Sequence, residues 1–309
     1  MRHIFLALAL VLLGAPTSLL AQDDAIPAAT KTSIDKAVPD LLAKSGAPSA
    51  SIAVVIGGKL AYAHAYGTAR LEPKLEATAE MRYSIGSISK QFTASAILLL
   101  VQEGKISLDD KLAHWFPELT RASDVSIHQL LSMTSGYQDY WPQDYVMPMM
   151  RNPVKPPDIL ARWGKIPLDF EPGTKWQYSN TNYVIAGMIV EKITGESLFS
   201  FVQKHILGPL QMKSATNTDE AALGPEDPQR YLRYAGGPLR VAPKEGRGWM
   251  FAAGELAMTA SDLAKWDISL MNESLLQPAS YRQMDTEVRL ASGVGSGYGL
   301  GVSLALSNG

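Results

Sequence analysis

Two short stretches of this sequence carry side chains whose types and spacing could do acyl-transfer chemistry. The first is Ser87-Ile88-Ser89-Lys90. A serine three residues before a lysine on a helix puts both side chains on one face, about one turn apart. At a helix N-terminus, unpaired N–H groups and the dipole favour a developing alkoxide or oxyanion. The same positive end, with partial burial, lowers a neighbouring lysine's pKa until it can act as a base. The spacing alone is weak, because Ser33-Ile34-Asp35-Lys36 has it too, in a solvated amphipathic segment. Context singles out the Ser87 copy: a strand precedes it, and a helix that is apolar nearly all round follows it.

The second stretch is Tyr178-Ser179-Asn180, the one Tyr-x-Asn in the chain. In extended backbone, residues two apart point the same way. A phenol beside a cation can shuttle a proton, and a carboxamide can orient a substrate carbonyl. The alternative is a capping loop, with Asn180 as N-cap of the next helix and Tyr178 as packing.

The elements that must position these residues follow from periodicity and punctuation. A helix is predicted over Ser33 to Lys44, stopping at Gly46-Ala47-Pro48. Ala50 to Ile56 and Leu60 to Tyr66, joined through Gly57-Gly58, read as a β-hairpin. A weaker strand surrounds Met81 to Ile85, and a helix runs from Ser87 to Glu103. Further helices are predicted over Val125 to Met133, capped by Ser126 or Asp124, and over Asn182 to Ile193, Ser197 to Leu207 and Ser261 to Met271. Tyr140 to Pro157, with five prolines and three methionines, reads as a long irregular loop. Residues 214–247 read as surface loops, and Tyr298 to Leu306 as a strand. Early strands, a helical middle and a late strand imply an α+β architecture.

Composition bounds the function. The 309 residues are 46% hydrophobic and 19% charged, enough for a large core. A net charge of -2 gives no electrostatic footprint for nucleic acid. The absence of cysteine excludes disulfides, thiolate metal sites and a cysteine nucleophile. The five histidines (His3, His64, His114, His128, His205) form no metal-ligand pair at helical spacing. A small molecule or peptide is the expected partner, and no cofactor is implied.

The N-terminus reads as a secretory signal. Arg2 and His3 precede an apolar run from Ile4 to Leu13, and small residues lead to Leu19-Leu20-Ala21. The expected division is a signal peptide over 1–21, cleaved after Ala21, and one domain over 22–309. No later stretch reaches the ~18 consecutive apolar residues of a membrane span. The mature protein is expected to be exported, periplasmic or secreted.

Together these segments resemble the serine β-lactamase and penicillin-binding-protein superfamily, closest to its class C branch with the related DD-peptidases and esterases. The resemblance rests on Tyr83 to Thr93 around the nucleophile and on Leu130-Leu131-Ser132-Met133-Thr134-Ser135-Gly136, where the family usually has His and this chain has Met133. It rests also on Phe170-Glu171-Pro172-Gly173 leading into Tyr178 to Tyr183, on Ala253-Gly254-Glu255-Leu256 with Thr259 to Ala264, and on Tyr298-Gly299-Leu300-Gly301. It implies an antiparallel sheet flanked by helices, with an inserted all-helical subdomain. It also implies roles. Ser87 attacks a carbonyl to form an acyl-enzyme, Lys90 and Tyr178 manage its proton, and Asn180 contacts the substrate's amide. The Ser87 N–H would be one oxyanion donor.

The family carries a third motif, Lys-Thr-Gly or His-x-Gly, on a strand after the Tyr-Gly-Leu-Gly segment, and no such triplet follows that segment here. The expectation is therefore a C-terminally truncated member lacking the later strands and the closing helix. The second oxyanion donor normally lies on that strand, and losing such a donor typically costs on the order of a hundred- to a thousandfold in rate. The enzyme reading covers β-lactam, D-Ala-D-Ala peptide and ester substrates. The alternative is a non-catalytic cell-wall-peptide-binding or inactive homologue on the same fold. An α/β-hydrolase would need Gly-x-Ser-x-Gly, which is absent.

Overall fold

The computed structural model describes residues 26–142 and 146–304. The expected signal over 1–21 lies outside them. Helix α1 (Ala28–Ser45) stops at Gly46, which is left-handed and donates its N–H to Leu42. The hairpin follows as β1 (Ser49–Ile56) and β2 (Lys59–Arg70). Its turn residues Gly57 and Gly58 have φ of 58° and 72°, the paired positive values of a tight two-residue hairpin turn, for which glycine carries no penalty. Short β3 (Leu75–Glu76) extends this sheet to the antiparallel order β1-β2-β3. On one side α1 is tied to β2, where Tyr62 and Tyr66 donate to the Asp35 carboxylate at 3.2 and 2.6 Å.

A second small sheet lies at the foot of the helical part. Strand β4 (Tyr83–Ser84) leads into a 3-10 turn over Gly86–Ile88 and then α2 (Ser89–Gln102). The predicted helix thus begins later than expected, and Ser87 sits in the tighter turn that precedes it. Ten α2 residues are buried, including Phe92, Ile97, Leu98 and Leu100, so α2 is a core helix. Next come α3 (Ile127–Leu131) and α4 (Pro156–Trp163). Ser126 caps α3 through a reciprocal pair with Gln129, satisfying two backbone donors at once.

Helix α5 (Asn180–Thr194) is as buried as α2 and packs against it, with α3 and α4 on its flanks. After α6 (Leu198–Val202) the chain continues as one π-helical turn to Leu207, where a regular helix is expected from the sequence. Three short strands occupy the segment predicted as loops: β5 (Thr216–Asn217), β6 (Tyr231–Leu232) and β7 (Arg240–Val241). Strand β8 (Leu256–Met258) then pairs between β4 and β5. Last are α7 (Ala260–Met271), capped by Thr259, and α8 (Pro278–Asp285).

The predicted strand from Tyr298 is corrected. Its described part makes a single bridge, Tyr298 to Ser303, and residues 305 and 306 lie outside the described region. Gly299 and Gly301 explain why. Added side-chain carbon at Gly299 would meet the Met284 carbonyl at 1.9 Å, and Gly301 has φ of 80°. The segment is a turn pressed against the helical core, not a strand. The architecture is α+β, with antiparallel sheets and a helical body built from the second and third quarters of the chain.

Candidate active site

Ser87 is exposed, at the mouth of the turn between β4 and α2, whereas Lys90 has no accessible surface. The Lys90 Nζ has three partners: Ser87 Oγ at 3.0 Å, Asn180 Oδ1 at 2.7 Å and the Ala253 carbonyl at 2.7 Å. Tyr178 Oη donates to Ser87 Oγ at 2.6 Å, and its ring lies 4.9 Å from the Lys90 nitrogen. The four residues singled out in the sequence converge on one point. The Ser33 copy does not: Ser33 is exposed and donates back to Ala29, on a helix with no buried residue.

The elements explain this convergence. Ser179 is extended (φ −150°, ψ 118°), so Tyr178 and Asn180 point the same way, and α5 begins at Asn180. Ser179, not Asn180, occupies the N-cap position, so the capping alternative for Asn180 is set aside. Strap 130–139 holds this corner. Gln177 N donates to Met133 O at 3.0 Å, Ser135 Oγ to Asn182 Oδ1 at 2.6 Å, and Tyr183 Oη to Leu131 O at 2.9 Å. Met133, at the family's usual His position, is buried, and its sulfur accepts from Ser179 N at 3.4 Å.

Three contributors had no role assigned from the sequence, although Ala253 and Ser89 lie in segments it singled out. Asp139 accepts from Asn180 N at 2.9 Å and from Asn180 Nδ2 at 3.1 and 3.2 Å. Ala253 contributes only a carbonyl, at the end of a turn in which Ala252 is left-handed (φ 54°) and bonded by Thr93. Ser89 is buried and accepts from Leu256 N at 3.1 Å, fixing α2 to β8. A carboxylate in an aperiodic loop and a backbone oxygen carry no spacing signal. Ser89 lay inside the tetrad but had no role assigned.

The electrostatics suit proton transfer. Burial pushes the Lys90 amine down to about 7, with the Asp139 charge pulling it back up. Burial raises the Tyr178 phenol, against the lowering effect of its bond to Ser87. A protonated Lys90 has three N–H groups for three acceptors. A neutral Lys90 has two, and Asn180 Oδ1 and the Ala253 carbonyl, which cannot donate, take both. The lone pair that remains faces Ser87 Oγ, whose proton it can accept while Tyr178 donates to the same oxygen. The arrangement can therefore take the proton of an exposed serine as that serine attacks, near neutral pH.

A groove of about 590 Å³ is lined by Gly86, which precedes Ser87 in the chain, and by Trp141, Met250 and Arg233 among others. Of the loop read as irregular from Tyr140 to Pro157, Trp141 reaches this groove, whereas Tyr140 and Met150 are buried in the core. Residues 143–145 of that loop lie outside the described region.

The chain is similar to several known proteins. Penicillin-binding protein 4* of Bacillus subtilis is 30% identical over 267 residues, 79% of this chain and 57% of its own length. D-aminopeptidase of Brucella anthropi is 30% identical over 273 residues, 85% of this chain and 50% of its own. The chain spans about half the length of these curated relatives. The crystal structure of D-amino acid amidase from Ochrobactrum anthropi SV3 complexed with L-phenylalanine superposes with a TM-score of 0.76 at 25% identity, covering 83% of this chain and 76% of that one. Residues 34–309 match the Beta-lactamase family, and the chain belongs to that family, within the serine β-lactamase and penicillin-binding-protein superfamily.

Proposed function

We propose that this protein is an exported serine hydrolase of the class C-like branch, acting through an acyl-enzyme on an amide, β-lactam or ester. The observation that carries the proposal is the Lys90 environment: a buried amine near pKa 7 whose lone pair faces an exposed serine 3.0 Å away. Ser87 Oγ attacks the carbonyl carbon as its proton passes to Lys90. The bond to the leaving nitrogen or oxygen then breaks, and that atom takes a proton from the Tyr178 phenol, which Lys90 replenishes. Water adds to the acyl ester, and the reverse proton path frees Ser87. Asn180 orients the substrate's amide beside Lys90, and the Ser87 N–H donates to the oxyanion.

The names of two relatives, a D-aminopeptidase and a D-amino acid amidase, favour amides of D-amino acids as the first substrates to try, with penicillins and short esters next. Export rests on residues 1–21, whose order of basic, apolar and small residues is that of a leader. Analysis of the mature N-terminus after expression tests that part.

The test of the chemistry is intact-protein mass after incubation with a fluorophosphonate and, separately, a penicillin. A covalent adduct on the parent that vanishes in Ser87→Ala is the expected result. A folded parent without any adduct would leave a binding protein on a hydrolase fold.

A further inference from the structure

We propose that Asp139 is a positioning residue of this site, locking Asn180 in the orientation that leaves the Lys90 lone pair free for Ser87. The inference rests on the serine-hydrolase reading and adds a residue that neither of the two motifs contains.

Asp139 lies on the strap that follows the α3 turn. Its Oδ1 accepts from Trp141 N at 3.1 Å, so the carboxylate is itself held by its own loop. Thr181 Oγ1 donates to Gln138 O at 2.6 Å, pinning that loop to the start of α5. From there Asp139 takes the Asn180 backbone N–H and both its oxygens approach the side-chain NH2. A carboxylate only accepts, so the amide must turn its NH2 toward Asp139 and its oxygen toward Lys90.

The consequence lies in the count of donors on Lys90. With Oδ1 facing it, Asn180 consumes one amine N–H and the Ala253 carbonyl the other, which leaves the lone pair on the Ser87 side. A flipped Asn180 would instead present an N–H to the amine. That donor would occupy the lone pair and quench the base. Asp139 forbids the flip, because a flipped amide would set its oxygen against two carboxylate oxygens.

The charge has a second effect. The groups around Lys90 come from three elements: Ser87 ahead of α2, Tyr178, Asn180 and Tyr183 at the start of α5, and the Ala253 carbonyl before β8. Burial raises both phenols, so Tyr178 and Tyr183 are neutral near pH 7. Among the described residues Asp139 is the charge that acts on Lys90, and it opposes the effect of burial. Tyr140 and Tyr178 also feel it, and Asp219 and Glu255 act on Tyr140 from behind.

The experiment is the rate of Ser87 labelling by a fluorophosphonate from pH 5 to 10, read by intact mass. It compares the parent, Asp139→Asn and Asp139→Glu, each checked by thermal unfolding. In the parent the rate should rise through a midpoint near 7. In Asp139→Asn the midpoint should fall by on the order of one pH unit, because a nearby negative charge is gone. Its plateau should also fall, by roughly tenfold, as Asn180 loses its fixed orientation. Asp139→Glu keeps the charge, so its midpoint should stay while the plateau drops. A merely structural role would lower stability or plateau but leave every midpoint in place, and that outcome on a folded Asp139→Asn overturns the proposal. A folded parent that never labels defeats the hydrolase reading itself, and the positioning role falls with it.

Discussion

Ser87 is open to solvent while Lys90, three residues on and 3.0 Å away, has no accessible surface. A substrate can therefore reach the nucleophile without water reaching its base. The 3-10 turn at Gly86–Ile88 makes this possible, because it sets Ser87 outside the core that begins with Ser89. An α-helix starting at Ser87 would leave less of an offset between the two.

The first prediction concerns that base. Lys90→Arg keeps a positive charge and hydrogen-bond donors but cannot lose its proton near neutral pH. Acylation should fall by about a hundred- to ten-thousandfold, the range of general-base contributions. The residual rate should also lose its dependence on pH near 7. Stopped-time labelling of the two proteins at several pH values checks both. A retained midpoint in Lys90→Arg would assign the titration to another group.

Tyr178 gives a second. Its hydroxyl donates to Ser87 at 2.6 Å, but its ring also covers the Lys90 nitrogen at 4.9 Å. Tyr178→Phe removes the first contact and keeps the second. The melting temperature should change little, while turnover of an amide falls by about a hundredfold. An activated ester, whose leaving group needs no proton, should suffer less. Equal losses on amide and ester would remove Tyr178 from the leaving-group step.

How much of this was legible in the sequence depends on what kind of group each contributor is. Ser87 and Lys90 were readable because an apolar helix follows a serine-lysine spacing. Tyr178 and Asn180 were readable as an extended pair entering a second apolar helix. Asp139 was not, since the loop that carries it has no period and its partner lies 41 residues away. Ala253 was named in a family-like segment but its role was not legible, since a carbonyl belongs to every residue and only the turn built on left-handed Ala252 aims this one. The hairpin was legible through Gly57-Gly58. The strand expected at Tyr298 failed because its alternating pattern contains two glycines that are needed for close packing rather than for a strand.

Gly136 supplies the third prediction. Its φ is 89°, and a side-chain carbon there would come within 2.4 Å of the Phe170 carbonyl. It lies within the strap that carries Asp139, and Asp169 N donates to its carbonyl at 2.8 Å. Gly136→Ala should destabilise the fold by roughly 1–3 kcal/mol through backbone strain and displaced contact. Denaturant unfolding measures the loss. An unchanged midpoint would show that the strap moves freely against residues 168–170, which this packing denies.

The last prediction concerns a pair of acids behind the site. Glu255 is buried beside β8, and burial together with the charge of Asp219 raises its carboxyl to about 8. Asp219 is itself raised to about 6, mainly by burial. Both groups hold protons in the folded state that they release when unfolded. Their stabilising contribution is therefore complete below about pH 4 and is lost as pH rises through the folded values. Unfolding free energy should decline between about pH 5 and 8, by up to a few kcal/mol. Glu255→Gln mimics the neutral acid and can still accept from Asn217, which now donates to Glu255 at 3.0 Å. The variant should match the parent at pH 5, exceed it at pH 8 and show a shallower decline. Guanidinium unfolding at the two pH values decides the matter: if parent and variant keep the same difference at both, Glu255 ionises in the fold as it does in water.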